Sequence, residues 1–244
     1  PVTINPETGK AEIVFYHASS SWESARNDGE RMRWLLNAAI QANPQMENSV
    51  NEFTAAWCCQ LFSYANTAPE QEFIYGPGNA GSVAGINPAE LNPGQTVVKT
   101  DRTDNKAFML ITLPPDYDFM RIASRVTPAP YPAESYVRAN NLIAREFLAR
   151  NQRGEALSVL KKTLDAYKNL LRNHKDGGSK EENTVEFTDK WTENLQNQIV
   201  SIETPNGAFE DDRRTLLSGE PVSVAFAYRN AGKASITARP VNIR

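Results

Sequence analysis

The sequence predicts a mainly α fold of antiparallel helix pairs with a small C-terminal antiparallel β element. Three observations carry this. Residues 136–173 place apolar side chains at helical spacing twice in succession, on either side of Gly154. Residues 22–41 show a similar spacing ahead of an Asn43-Pro44 stop. Residues 222–228 alternate instead, with Val222, Val224, Phe226 and Tyr228 set against Ser223, Ala225 and Ala227, which is the period of a strand with one buried face.

From the N-terminus, residues 12–16 read as a short strand after a Pro/Gly turn. Ser19, Ser20 and Ser21 offer an N-cap, and Glu23 suits the positive end of a helix dipole. The helix over 22–41 turns Trp22, Ala25, Met32, Leu35, Leu36 and Ala39 inward. Gly29 weakens its middle by about 1 kcal/mol relative to Ala. A second helix, 46–64, presents Val50, Phe53, Ala56, Trp57, Leu61 and Phe62, and pairs antiparallel with the first across a short Asn-Pro-Gln turn. Residues 69–104 read as a long loop, a length that points to an insertion or a functional segment. The apolar stretch 105–113 fits either a strand or a buried helix, and Pro114-Pro115 ends it. Asp116 or Asp118 caps a short helix over 117–126 that turns Phe119, Ile122 and Val126 inward.

The helix pair follows. Val137, Ala139, Leu142, Ile143, Phe147 and Leu148 line its first member, and Ala156, Leu157, Leu160, Leu164, Tyr167 and Leu171 its second, with Gly154 as the flexible turn residue. Ala144, Phe147, Ala156, Leu160 and Leu164 match the helix-contact positions of a tetratricopeptide repeat. The small residue expected near Thr163 and the closing Pro near Lys168 are missing. The fold class is thus a TPR-like α-solenoid. A polar link, 176–183, leads to a last helix over 184–202, then to strands at 222–228 and 234–243 joined by Asn230-Ala231-Gly232-Lys233. The chain divides into an N-terminal strand and turn segment (1–20), a helical TPR-like domain with its loop at 69–104 (21–202), and a β-rich tail (203–244) that reads as the start of a following domain.

Composition narrows the function classes. In a chain of 244 residues, 40% apolar content sustains a core, while a net charge of −3 argues against general binding to nucleic acid. No apolar run approaches the ~20 residues of a membrane-spanning helix. The chain opens at Pro1 without a charged-then-apolar leader, so it reads as cytosolic or as part of a longer protein. A strand running up to the last residue favours the second.

No residue is assigned a catalytic, cofactor-binding or metal-ligating role. Cys58 and Cys59 are adjacent, too close to bond to each other without strain, and read as two small buried hydrophobes. His17 and His174 lie far from them in sequence, so no metal-ligand spacing emerges. Gly76-Pro77-Gly78-Asn79-Ala80-Gly81 matches a dinucleotide-binding spacing, but Pro77 removes an N–H and the following residues make a poor helix. Asp101, at the right separation, sits in a loop of its own. Arg26, Asp28, Glu30, Arg31 and Arg33 form a dense charge run that reads as a solvated, ion-paired helix face, as do 180–182 and 210–214. His174 sits among cations at a helix C-terminus, where the dipole favours them.

Four stretches carry a resemblance when taken in order: SWESARNDGERMRWLLNAAIQANP (21–44), FMLITLPPDYDFMRIASRV (108–126), NLQNQIVSIETPNGAFE (194–210) and SGEPVSVAFAYRNAGKASITARPVNI (218–243), with the helix pair lying between the second and third. The chain resembles the N-terminal helical region of very large bacterial alpha-2-macroglobulin-like proteins. The resemblance implies TPR-like helices ahead of a string of β-sandwich domains, in a parent exported to the periplasm or cell surface. Such a parent would act as a protease inhibitor that traps proteases, or bind surface partners. The family's Cys-x-Glu-Gln thioester is absent, since Gln60, Leu61 and Phe62 follow Cys59, so protease trapping falls on no residue here. The expected function is a non-enzymatic scaffold, a protein–protein interaction segment whose partner is another protein or other domains of the same parent. The alternatives are an independent TPR-like adaptor and a hydrolase with its site in the 69–104 loop, built on Asp101, Asp104 or Glu90.

Overall fold

A computed structural model describes residues 2–4, 6–7, 11–67, 85–99, 108–129, 133–176, 182–209 and 226–230, together with positions 233, 235 and 237. The fold is mainly α with small two-stranded antiparallel sheets. Strands β1 (Val2–Ile4) and β2 (Ala11–Ile13) pair with Val2 opposite Ile13, so the predicted strand begins one residue early and is shorter.

Helix α1 spans Asp28–Ala42 and starts six residues later than its periodicity suggests. The serines do not cap it. The Ser19 and Ser24 hydroxyls lie 2.7 Å apart, and Ser21 and Ser24 exchange backbone-to-hydroxyl bonds, closing a turn that competes with the helix. The cap is Asn27, whose Oδ1 accepts from Glu30 N at 2.9 Å while Glu30 Oε2 accepts from Arg26 N at 2.8 Å. Asn43 ends α1 and caps the 3₁₀ turn Pro44–Met46 that leads into α2 (Glu47–Phe62).

The apolar faces predicted for these two helices are corrected. On α2 the buried residues are Val50, Asn51, Ala55 and Cys58, whereas Phe53 is 51% and Leu61 47% exposed. The reason is the choice of neighbour. α2 packs chiefly on α4 (Phe119–Ala123) and α5 (Glu134–Ala149) and only slightly on α1, so part of its apolar surface stays uncovered. From the predicted inner set of the first helix, Trp22 falls in the turn before α1 and is exposed, Leu35 on α1 is exposed, and the buried side chain of α1 is Arg33.

A four-residue helix, α3 (Tyr64–Thr67), follows. Part of the predicted 69–104 loop is regular: Pro88–Glu90 form a 3₁₀ turn and Gln95–Lys99 form β3, paired in register with β4 (Phe108–Thr112), Val97 opposite Leu110. The ambiguous stretch at 105–113 is therefore a strand where it is described. At its base Gly94 adopts φ +79, and a Cβ there would meet Asp118 Oδ2 at 2.7 Å. Asp118, not Asp116, caps α4 by accepting from Arg121 N at 3.0 Å, and Phe119, Ile122 and Val126 are buried as predicted.

α5 and α6 (Arg153–Asp176) form the predicted pair, and α7 (Glu182–Glu203) packs on α6. The turn, however, is not made by Gly154, which is the second residue of α6. Asn151 at φ 58 ends α5, with Gln152 N donating to Phe147 O at 2.8 Å and Asn151 N to Leu148 O at 3.0 Å, the double bond of a left-handed helix stop. Asn takes the place of Gly because its short polar side chain tolerates that backbone. Val137, Ala139, Ile143, Ala144 and Phe147 face Ala156, Leu160, Leu164 and Tyr167 in one continuous core, extended by Leu195, Ile199 and Ile202.

In the tail, β5 (Asn206–Phe209) pairs with β6 (Phe226–Arg229). The described partner of the 222–228 strand precedes it in sequence, and Asn230 Nδ2 donating to Ile202 O at 2.5 Å and Arg229 Nη2 to Ser201 O at 3.1 Å hold β6 beside the end of α7. The second strand expected at 234–243 lies outside the described residues apart from two isolated positions, and most of the 176–183 link lies outside them too.

Leu160 has no exposed surface. Truncating it to Ala should lower unfolding free energy by about 2–5 kcal/mol in denaturant melts; a change under about 0.5 kcal/mol would show the helix phase to be wrong. The two glycines should respond oppositely. An added Cβ at Gly154 meets nothing within 4 Å, so Gly154→Ala should stabilise by about 0.4–1 kcal/mol. Gly94→Ala should cost at least about 1–2 kcal/mol, from its left-handed φ together with the Asp118 clash.

Candidate functional site

Arg33 departs furthest from its predicted setting. The charge run was expected to be solvated, and Asp28 and Arg31 do pair on the surface at 2.9 Å, but Arg33 is only 5% exposed. Its guanidinium lies 3.7 Å over the Tyr117 ring and 5.2 Å from Trp57, a stacking that replaces lost hydration with aromatic faces. Nη1 donates to Asp116 O at 2.8 Å, and Asp116 Oδ2 stands 3.9 Å away. The same Oδ2 lies 2.9 Å from His17 Nδ1. Nε and Nη2 of Arg33 are buried and find no acceptor among the described residues. Arg33 also walls a cavity of about 110 Å³, with Asn37, Asn51, Thr54, Asp116 and Arg125 as its other polar residues.

Around this cation the N-terminal segment is anchored. The Tyr117 hydroxyl accepts from Tyr16 N at 2.6 Å and donates to Tyr16 O at 2.8 Å. Phe15, Phe62 and Tyr117 form an aromatic cluster with centroids 4.8–5.8 Å apart. Burial raises the Tyr117 hydroxyl above its ordinary pKa, partly offset by Arg33.

A second concavity of about 730 Å³ lies between α2 and α5, where Glu52, Cys59, Asn66, Arg138, Leu142 and Arg145 are among its walls. Arg138 is held at 3.2 Å by both Glu52 and Glu134. The cysteines are both free and face different surroundings. Cys58 is fully buried, and that burial raises its thiol pKa against the pull of Arg33. Cys59, half-buried at the cleft, is pushed up to about 11 by burial, with the Glu146 carboxylate adding to the shift.

At the far end of α5, Arg150 and Glu146 form a buried pair. Arg150 Nε donates to Glu146 Oε1 at 2.7 Å, Nη1 to Asn92 O and Nη2 to Gln95 O. Tyr64 N donates to the same Glu146 oxygen. The sequence carried a signal for this pair that periodicity alone passed over. Ala139, Ile143, Glu146 and Arg150 follow one another at helical inner-face spacing, with opposite charges where apolar residues belong. Arg33 has no comparable signal, because its partners Asp116, Tyr117 and Trp57 are distant in sequence.

The 76–81 glycine motif, Asp101, Asp104 and the 210–214 run lie outside the described residues, as do the His174 side chain and most of the 180–182 run. Glu90 is exposed and accepts from Asn87 Nδ2 at 2.8 Å within its own 3₁₀ turn. Among the described residues no group of three or more His, Cys, Asp or Glu could hold a metal ion, and no helix is long and apolar enough to cross a membrane. No family model, no curated protein and no solved structure matches the chain.

A thiol with pKa near 11 is about one part in a thousand thiolate at pH 8, and that fraction grows tenfold per unit as pH rises toward its pKa. Native-state alkylation of Cys59 should therefore be slow and still climbing between pH 8 and 10. A plateau by pH 9 would place the thiol in an ordinary environment. Intact mass should show the dithiol form, since neighbouring cysteines on one helix point apart.

Proposed function

We propose that this chain is a non-enzymatic scaffold segment of a larger exported protein, resembling the alpha-2-macroglobulin-like proteins, and that its helices present surface to other domains of the same parent or to a protein partner in the periplasm or outside the cell. The observation that carries the reading is the apolar surface left open on α1, α2 and the turn that precedes α1. Trp22, Leu35, Phe53 and Leu61 are 44%, 49%, 51% and 47% exposed. Phe53 and Leu61 lie eight residues apart on α2, on one side of the helix, with the half-buried Trp57 between them.

A second reading, an independent TPR-like adaptor, is favoured by the cleft between α2 and α5, which is roomy enough for part of a peptide. Hydrogen exchange separates the two. In a longer chain that carries the parent sequence after Arg244, protection should rise at α1 and on the Phe53–Leu61 face of α2; protection unchanged there and raised only around the cleft by an added partner would favour the adaptor. The double substitution Phe53→Ser with Leu61→Ser should change folding stability by less than about 1 kcal/mol, because both sites are half exposed. The same pair should weaken association with the following segment, supplied in trans, at least tenfold by calorimetry. Undiminished association would remove this surface from the interface and sink the scaffold reading.

A further inference from the structure

We infer that the cleft between α2 and α5 binds a peptide segment through an acidic side chain set against Arg145. The inference rests on the reading of that cleft as a peptide site and adds the chemistry of its occupant. It does not depend on the open apolar surface of α1 and α2.

The two walls of the cleft share a register. Glu52 pairs with Arg138, and Glu146 accepts from Tyr64 N, so α2 and α5 run in the same direction along it. Arg138 and Arg145 stand seven residues apart, two turns and about 10 Å along one side of α5. Seven residues beyond Glu52 on α2 stands Cys59. The cleft thus repeats at two levels, with an arginine from α5 at both and a carboxylate from α2 at the first alone.

This leaves a cation unmatched. Arg138 is engaged at 3.2 Å by both Glu52 and Glu134. Arg145 is exposed and forms no hydrogen bond or ion pair with another described residue. Glu146, the other carboxylate of the walls, is buried in its pair with Arg150 and its bond from Tyr64 N. Nor does Cys59 answer Arg145, because burial and Glu146 keep its thiol neutral at physiological pH. A carboxylate carried by a ligand would meet at Arg145 a planar fork of donors that no described side chain occupies.

The setting suits a chain rather than a lone acid. A volume of about 730 Å³ falls within the range of ~300–1,000 Å³ common for ligand pockets. Leu142, Leu148 and Ala149 supply apolar wall for neighbouring side chains, and Gln60 and Asn141 carry amides able to pair with a peptide backbone. The walls continue on both sides of Arg145, to Arg138 and Glu52 one way and to Ala149 the other. The carboxylate is therefore assigned to a side chain within the ligand and not to its C-terminus. A single half-solvated ion pair discriminates modestly, so the preference for an acid is about three- to fivefold.

The test titrates the folded chain at pH 7 and low salt with a pentapeptide capped at both ends, Glu at its centre and Leu on either side, followed by amide NMR. Saturable shifts along 138–149 and 56–66 are expected, with Kd in the millimolar range or below. A Gln-centred peptide should bind about three- to fivefold more weakly, and that difference should vanish in Arg145→Gln, an exposed substitution that leaves the fold intact. Saturating peptide should also slow alkylation of Cys59, which lines the cleft. Equal binding of the Glu and Gln peptides, or a preference that survives Arg145→Gln, would overturn the inference while leaving the cleft a peptide site. Tighter binding of a peptide whose carboxylate is its free C-terminus would overturn the side-chain assignment. No saturable shift from any of these peptides up to about 10 mM would remove the peptide reading of the cleft as well.

Discussion

Arg150 and the carboxylate of Glu146 join the helical and β parts of the molecule. Both side chains come from the last turns of α5, yet their hydrogen bonds reach Asn92 and Gln95 at the start of β3 and Tyr64 at the start of α3. Neither side chain is exposed beyond 1%, so water offers no substitute for these contacts. Such a pair adds little net stability compared with apolar residues, because desolvation offsets the Coulomb attraction, but removing one member alone costs about 3–5 kcal/mol. What the pair supplies is position. It fixes where the β3 hairpin leaves the helices, and Thr96, fully buried, completes the joint by donating its hydroxyl to Phe62 O at 2.7 Å.

Arg33 solves a similar problem by different means. Where Arg150 directs its donors to carbonyls and a carboxylate, Arg33 rests between aromatic rings, and among the described residues its Nε and Nη2 find no oxygen or nitrogen acceptor. It is also the one buried side chain of α1, so this helix is attached through a cation rather than a hydrophobic stripe. That explains how α1 can leave Leu35 open and still hold a defined place. Packing of α2 chiefly against α4 and α5, and only slightly against α1, has the same consequence for Phe53 and Leu61.

The sequence made the helix pair legible because its contacts are local: the spacing of Leu160, Leu164 and Tyr167 reports one inner face, and all three are buried. It misread α2, because Asn51 and Cys58 face inward while Phe53 does not, and periodicity ranks residues by hydrophobicity without knowing the neighbour. It placed the α5 stop at Gly154, when Asn151 supplies the left-handed residue, since both types serve. It left β3 in a loop because the partner strand lies beyond residues 100–107, so the pairing that stabilises it is not local. The candidate site was not legible at all. Arg33 sits in a run of charges, and only the fold brings Tyr117, Trp57 and Asp116 around it.

The hydroxyl of Tyr117 engages both backbone groups of Tyr16, as a neighbouring strand would. A phenol thus stands in for a β partner, and it does so at a single residue. The β1–β2 ribbon beyond it is two-stranded and marginal by itself in water. The ribbon is joined to the helical body at this point by the Tyr117 hydroxyl, by the Phe15 ring packed against the core and by the His17–Asp116 pair. The N-terminal segment is thus tethered by contacts made within three consecutive residues, Phe15, Tyr16 and His17, all of them meeting the stretch around Tyr117.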